Sequence, residues 1–326
     1  MESILVAGGA GFVGSHACKA LSKAGYLPVT LDNLATGHAD AVKWGPLIKA
    51  DIRDAEVVRT AMAEHQITAV MHFAASSLVG ESVVKPALYY ENNVIATLRF
   101  LEALTAGGLR NIVFSSTAAV YGAAVEDPIT ENAAKIPTNP YGETKRVIEG
   151  ALQWMSQAQG FSWTALRYFN AAGADEEGEI GERHDPETHL IPNMVRAALG
   201  TGPGLKVFGT DYPTPDGSAV RDYIHVTDLA EAHIAALLWQ RKGGESRAFN
   251  LGTGQGLSVL QMVAAAEKVL GVTPPHELAG RRAGDPPSLV ADPTAAQTAF
   301  GWKAVRSDPE TLIRTAAAFE RSRAKG

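Results

Sequence analysis

Tyr141 and Lys145 stand four residues apart in the stretch Thr138-Asn139-Pro140-Tyr141-Gly142-Glu143-Thr144-Lys145. Asn139 offers a capping side chain and Pro140 a fixed φ suited to a first helical turn, so a helix is predicted to start here. On a helix, residues four apart share a face. An ammonium close to a phenol favours the phenolate and draws its pKa from about 10 toward neutrality. Such a pair can take a proton from an alcohol. The same spacing also suits an exposed helical pair. What separates the two readings is whether the chain also supplies a redox cofactor, a hydroxyl partner and a substrate pocket.

The first of these is written near the N-terminus. Gly8, Gly11 and Gly14 form a G-x-x-G-x-x-G loop, with Phe12 and Val13 inside it, between the apolar run Ile4–Ala7 and a helical pattern from about Ser15 to Ala24. Glycines there permit a tight turn and close backbone approach, and the helix N-terminus offers N–H groups to a pyrophosphate. Asp32 ends the next apolar run, eighteen residues after Gly14, and is followed by Asn33. A carboxylate at that position binds ribose hydroxyls and repels a 2′-phosphate. The combination points to NAD rather than NADP.

Three further strand ends are candidates. Asp51-Ile52 and Phe73-Ala74-Ala75 follow the third and fourth apolar runs, where ligands of doubly wound sheets bind; as sequence they read equally well as plain strand-end turns. Ser115-Ser116-Thr117 closes the run before the Tyr141 helix. A hydroxyl there can bond a substrate oxygen, although Ser/Thr runs also simply cap strands.

The elements that must position these residues alternate. Apolar runs at Ile4–Ala7, Leu27–Leu31, Leu47–Ala50, Ala69–Phe73, Ile112–Ser116 and Trp163–Tyr168 are separated by helical patterns at about 55–65, 86–105 and from 141 onward. Short apolar strands alternating with helices imply an α/β fold, a doubly wound parallel sheet of the Rossmann type. From about Asn170 the character changes, and residues 173–188 read as a loop rich in Gly, Asp, Glu and Pro. The helix 228–239 and strand 248–251 can return to the first domain. The expected division is therefore a dinucleotide domain of 1–169 plus about 222–252, and a smaller mixed α/β substrate domain of 170–221 plus 253–326.

Composition narrows the class. The chain has 326 residues, 46% hydrophobic and 20% charged, with a net charge of −6 and a pI near 5.9. No basic block exceeds Arg281-Arg282, so nucleic acid and anionic membranes are not expected partners. One cysteine, Cys18, leaves no internal disulfide framework, and the N-terminus carries no signal-peptide pattern. A reducing cytoplasm is the expected compartment. The histidines show no metal-ligand spacing, so no metal is expected, and His72 and His225 read as structural. No G-x-S-x-G elbow is present.

Assembled, these residues resemble the extended short-chain dehydrogenase/reductase superfamily, and within it the UDP-glucose 4-epimerases. The likeness runs over nearly the whole chain. It includes the glycine loop, Asp32-Asn33-Leu34, Gly80–Val83, Lys85-Pro86, Tyr89–Asn93, Ser115–Gly122, Tyr141–Lys145, Arg167–Asn170, Arg221–Val226 and Arg281–Asp285. The resemblance implies that Tyr141 is the base, that Lys145 holds the nicotinamide ribose and lowers the tyrosine pKa, and that Thr117 is the hydroxyl partner. It places Asn92 and Phe169 against the cofactor. It places Asn170, Leu190, Phe208, Arg221, Arg282 and Asp285 on the nucleotide sugar, with the two arginines on the diphosphate, which their guanidinium forks suit. Ser77 stands where some members carry a cofactor-facing lysine, and Leu289 where glucose/galactose-restricted members often carry a tyrosine.

The implied reaction is redox-neutral: a 4-keto sugar forms as hydride passes to NAD, turns over, and is reduced on its other face. Substrates are UDP-glucose and UDP-galactose, with UDP-N-acetylglucosamine, UDP-arabinose and UDP-glucuronate as alternatives. A 4,6-dehydratase needs an acid and a base after the hydroxyl residue, where this chain has Ala118-Ala119. A non-catalytic NAD-binding regulator has no need of Thr117, Tyr141 and Lys145 together. Family dimers pack the helices near 87–105 and 141–158, where Leu88, Leu98, Leu101, Ile148 and Leu152 either meet a partner or face the sheet.

Overall fold

A computed structural model describes residues 1–123, 126–282 and 285–324. Its centre is a seven-stranded sheet, all parallel, in the spatial order Arg247–Leu251, Ser162–Tyr168, Asn111–Thr117, Ile67–His72, Glu2–Ala7, Tyr26–Asp32, Leu47–Lys49. The strand order reverses between Glu2–Ala7 and Ile67–His72, which opens a crevice at their C-terminal ends, where ligands of such sheets bind. The fold is the expected doubly wound α/β class.

Both faces are covered, which is why the strands are nearly continuous apolar runs. On one face, Leu5, Val29, Val70 and Phe114 pack against helices Ala55–Glu64, Ala96–Ala106 and Pro140–Gln159. On the other, Ile4, Val6, Met71 and Leu166 pack against helices Phe12–Lys23 and Val226–Arg241. A third apolar cluster joins helices Leu190–Ala198, Val259–Leu270 and Pro309–Arg323 over the strand Leu205–Phe208, which pairs with His276–Ala279.

The expected helix of 86–105 is broken into parts. Pro86–Tyr89 and Ala96–Ala106 are α-helical, while Tyr90–Ile95 widens into a π-turn that carries Asn92 and Asn93. Its apolar residues divide, and so do those of the Tyr141 helix. Leu88 and Leu98 are exposed, whereas Leu101, Ile148 and Leu152 are sealed in the core. The last three therefore pack inside this chain and are not available to a second copy.

Ala283 and Gly284, within the Arg281–Asp285 stretch, lie outside the described residues. No helix among the described residues is long and apolar enough to cross a membrane. The expected loop over 173–188 is irregular, and its acidic residues gather around Lys19, whose ammonium contacts Asp175, Glu177 and Glu179 at 2.6–2.9 Å.

Candidate active site

Apart from Ser116, which is buried, every residue singled out from the sequence for the cofactor, the chemistry or the substrate lines one cleft of about 1350 Å³ at the C-terminal edge of the sheet. Gly8, Phe12, Val13, Asp32, Asp51, Ile52, Phe73, Ala74, Ala75, Ser77 and Asn92 form one end. Thr117, Tyr141, Lys145 and Phe169 occupy the middle, and Asn170, Leu190, Phe208, Arg221, Arg282, Asp285 and Leu289 close the other end.

The first end fits a dinucleotide. A Cβ on Gly14 would lie 2.1 Å from the carbonyl oxygen of Gly8, so only glycine lets the helix start this close to the loop. Gly11 caps that helix without a side-chain hydrogen bond, and no acidic residue occupies the first turn. The helix N-terminus is therefore open to an anion. Asp32 is buried and fixed, accepting from the backbone N–H of Ala10 at 3.0 Å and of Leu34 at 2.8 Å. Asp51 is gripped by the Arg53 guanidinium and accepts from Asn33 Nδ2 at 3.1 Å, which holds its carboxyl down at about 2.

The π-turn also serves this end. Asn92 donates to the Ser76 hydroxyl at 2.8 Å. Asn93 accepts from Ser76 N–H at 2.8 Å and donates to the Ser76 carbonyl and to Thr144 Oγ1. One asparagine thus ties the fourth strand's exit to the Tyr141 helix. Single π-turns concentrate at functional sites, but a one-residue widening leaves no mark on hydrophobic periodicity.

In the middle, the Tyr141 helix begins as expected: the Asn139 side chain accepts from Gly142 N–H at 2.9 Å with Pro140 in the first turn. Thr117 ends its strand, and its hydroxyl accepts from Ala119 N–H at 3.1 Å, capping a short turn. The same hydroxyl reaches the Tyr141 phenol. Tyr141 and Lys145 share a face of the helix and line the same cleft. Lys145 Nζ lies 5.9 Å from the Tyr141 ring centre, sits above the Phe114 ring and donates to the Ser115 carbonyl at 2.9 Å.

Burial governs both groups. It pushes the phenol up to about 12, with the Thr117 hydrogen bond pulling the other way, and it drives Lys145 down to about 7 with only Glu149 opposing. Desolvation opposes the charged form of both groups, and it is against this penalty that Lys145 is expected to lower the tyrosine pKa.

Sequence reading missed the network beneath. Glu149, one turn beyond Lys145, accepts from Ser116 Oγ at 2.6 Å and from Arg167 Nε at 2.9 Å. Arg167 also donates to the Tyr121 hydroxyl at 2.7 Å, which donates to Asn250 Oδ1 at 2.7 Å. Three adjacent strands and the Tyr141 helix are locked together by buried polar groups. The signal was a charge on an otherwise apolar strand, Arg167 after Ala165-Leu166.

At the far end, Arg221 Nη2 stands 3.8 Å from Asp285 Oδ1, and Arg282 lies 4.3 Å above the Phe208 ring. Asp222, fully buried, accepts from Thr253, Gly254 and Ala291 N–H groups and so fixes the strand that presents Arg221. Leu289 pairs in register with Arg221 and packs with Phe169 beside Ala118 and Tyr121. His72 and His225 are buried; His72 bonds Thr97 and His225 caps Thr227 N–H, both in structural roles.

A glycine-loop dinucleotide cradle, a Tyr–Thr–Lys centre and a basic far end together define a dinucleotide-dependent enzyme that oxidises and reduces an alcohol. The chain belongs to the NAD dependent epimerase/dehydratase family, whose model matches residues 4–252. A UDP-glucose 4-epimerase of Rhizobium meliloti is 51% identical over 302 residues, 93% of this chain and 92% of that protein. The crystal structure of a Brucella ovis UDP-glucose 4-epimerase in complex with NAD superposes with a TM-score of 0.95 at 49% identity, covering 97% of this chain and 98% of that one. A Bifidobacterium longum UDP-glucose 4-epimerase in complex with NAD+ and UDP does so at 0.93 and 36% identity, covering 99% of each.

Proposed function

We propose that this protein interconverts UDP-glucose and UDP-galactose by inverting C4 of the sugar. The observation that carries the reading is the meeting of Tyr141, Thr117 and Lys145 midway along one cleft, between a dinucleotide cradle and the paired positions Arg221 and Arg282. Bound NAD+ would supply a reversible hydride acceptor. Tyr141 takes the proton of the sugar's 4-hydroxyl and later returns one. Thr117 donates to or accepts from the same oxygen and keeps it against the phenol. Lys145, held by the Ser115 carbonyl, bonds the cofactor's ribose hydroxyls.

Arg221 and Arg282 grip the diphosphate. That anchor is indifferent to which sugar face is presented, which a reaction that inverts one centre requires. The dinucleotide part is 1–169 with about 222–252, and 170–221 with 253–326 holds the UDP-sugar.

The protein works as a homodimer in the cytoplasm. Supporting the dimer, Val84, Leu88, Ile95, Leu98 and Trp154 stand exposed on the 79–106 and 140–159 helices, an apolar face that suits a second copy. The deciding experiment follows UDP-galactose turnover by the purified protein without added cofactor, together with the dinucleotide released on denaturation. Turnover with NAD released supports the reading. A nucleotide-free protein that turns over no UDP-sugar with or without NAD ends it.

A further inference from the structure

The segment that leads into helix Leu190–Ala198 carries groups to which the proposed reaction assigns no step, although they line the same cleft. Glu182, His184, Glu187 and His189 follow an E-x-H-x-x-E-x-H spacing. The chain folds them inward, so that one ligand atom from each lies within 4.8 Å of the others. The two carboxylate side chains are almost wholly buried, at 5% and 3% exposure.

The separations suit coordination. His189 Nδ1 is 2.8 Å from Glu182 Oε1 and 3.0 Å from Glu187 Oε1, and His184 Nδ1 is 3.1 Å from Glu182 Oε1 and 3.9 Å from Glu187 Oε2. Ligands arranged tetrahedrally on a zinc ion, with bonds of about 2.0–2.1 Å, stand roughly 3.3 Å apart. The Glu187 carboxylate is preset, its Oε1 accepting from Thr188 and His189 N–H at 2.9 and 3.0 Å. Its Oε2 is buried and takes no hydrogen bond among the described residues, and neither does His184 Nδ1. Leaving such atoms unpaired is costly, so they point to a partner that the chain itself does not supply.

We propose that Glu182, His184, Glu187 and His189 form a binding site for a divalent transition metal, with Zn²⁺ as the fitting ion. Two imidazoles and two carboxylates match its preferences, and four protein ligands close a tetrahedral shell. A closed shell makes the site structural rather than catalytic. It would fasten the irregular stretch to the helix whose first residue, Leu190, faces the cleft. The same stretch is tied to the dinucleotide side, where Arg183 pairs with Asp40 and its carbonyl meets His38. All four residues line the same cleft as Leu190, so one ion would fasten the substrate wall itself while the Arg183 contacts tie it to the dinucleotide side. The second acidic group, Asp175, Glu177 and Glu179, has its cation already in Lys19.

The competing account balances the two carboxylates with protons on His184 and His189. To separate the two, the untagged full-length protein is purified without chelator and its metal content measured by mass spectrometry. Its thermal midpoint is then followed after chelator dialysis and after return of Zn²⁺ or Mg²⁺. The expected result is about one zinc per chain, a midpoint that falls on stripping, and recovery with Zn²⁺ alone. Glu187→Gln and His184→Gln are each expected to weaken zinc binding at least about tenfold, as even supporting-group losses do. A stripped protein that takes up no zinc and whose midpoint does not respond overturns the proposal. So do variants that bind zinc as tightly as the wild type. If the variants do not fold, the wild-type stripping and return still decide.

Discussion

The side chain that Gly142 lacks would place its Cβ 2.4 Å from the carbonyl oxygen of Ala119. Helix Pro140–Gln159 can therefore press against the turn that follows Thr117 only with glycine at this position. The neighbour on one side is Tyr141, and the turn on the other is capped by the Thr117 hydroxyl. The contact sets the distance between phenol and hydroxyl.

Gly142→Ala is expected to push the helix off the turn without altering any group that reacts. A displacement near 1 Å at a reacting pair costs on the order of 10²-fold in rate. The effect should fall on kcat, with retained NAD and KM for UDP-galactose little changed, because neither the glycine loop nor the arginines move. Steady-state kinetics with a cofactor assay on the same sample reads all three. A Gly142→Ala enzyme with wild-type kcat shows that the close approach does not position Tyr141.

Lys145 is buried with its pKa lowered to about 7, from an ordinary value of 10.5. In the unfolded chain the ammonium survives up to about that ordinary value, so between pH 7 and 10.5 the unfolded state binds more protons. Stability then rises with pH through this window, and the penalty of burying the charge is greatest at and below pH 7. Lys145→Met should abolish turnover yet raise the thermal midpoint of the cofactor-stripped protein at pH 7. That gain should shrink toward pH 10. A variant that is less stable than wild type at pH 7 means that the Ser115 contact outweighs desolvation.

Glu149 and Arg167 are both buried and paired through two hydrogen bonds. Removing one partner of such a pair strands the other charge, at about 3–5 kcal/mol. Glu149→Leu should therefore lower the urea midpoint strongly. Glu149→Gln should lower it less, since an amide still accepts from Ser116 and Arg167. Equal midpoints for Glu149→Leu and wild type would show that the network adds nothing to stability.

How much of this was legible depended on where the controlling information lay. The Tyr141 helix start was local, in Asn139 and Pro140, and the sheet was local too, because strands buried on both faces must be apolar runs. The state of Lys145 was not, since the Phe114 ring that covers it and the Ser115 carbonyl that holds it lie some thirty residues away. Periodicity marked an apolar stripe on the 87–105 helix but could not say that Leu101 faces inward and Leu98 outward. Strands of two residues, such as Val220–Arg221 and Ser288–Leu289, are too short to show alternation. The register that sets Leu289 beside Arg221 was therefore invisible. The Glu182–His189 ligand set escaped because its spacing follows no familiar zinc pattern, and only folding brings the four atoms together.

Leu289 tests substrate breadth. It lines the cleft and packs, with Phe169, on the cluster that contains Ala118 and Tyr121 of the turn after Thr117. A tyrosine there would add bulk and a hydroxyl on the wall that the sugar meets, whereas leucine leaves room. UDP-N-acetylglucosamine should therefore be epimerised detectably alongside the glucose and galactose pair, since the chemistry at C4 is the same for both. Leu289→Tyr should reduce kcat/KM for the acetylated sugar more than for UDP-galactose, because exclusion acts on the larger group. Losing one or a few methylene-sized contacts in such a pocket is worth about 10–200-fold in discrimination. The measurement is kcat/KM for both sugars in both proteins. Equal losses would show that position 289 does not sort by size. A wild-type enzyme inert toward the acetylated sugar would mean that neighbouring side chains, with Phe169 the nearest candidate, already fill the space that leucine vacates.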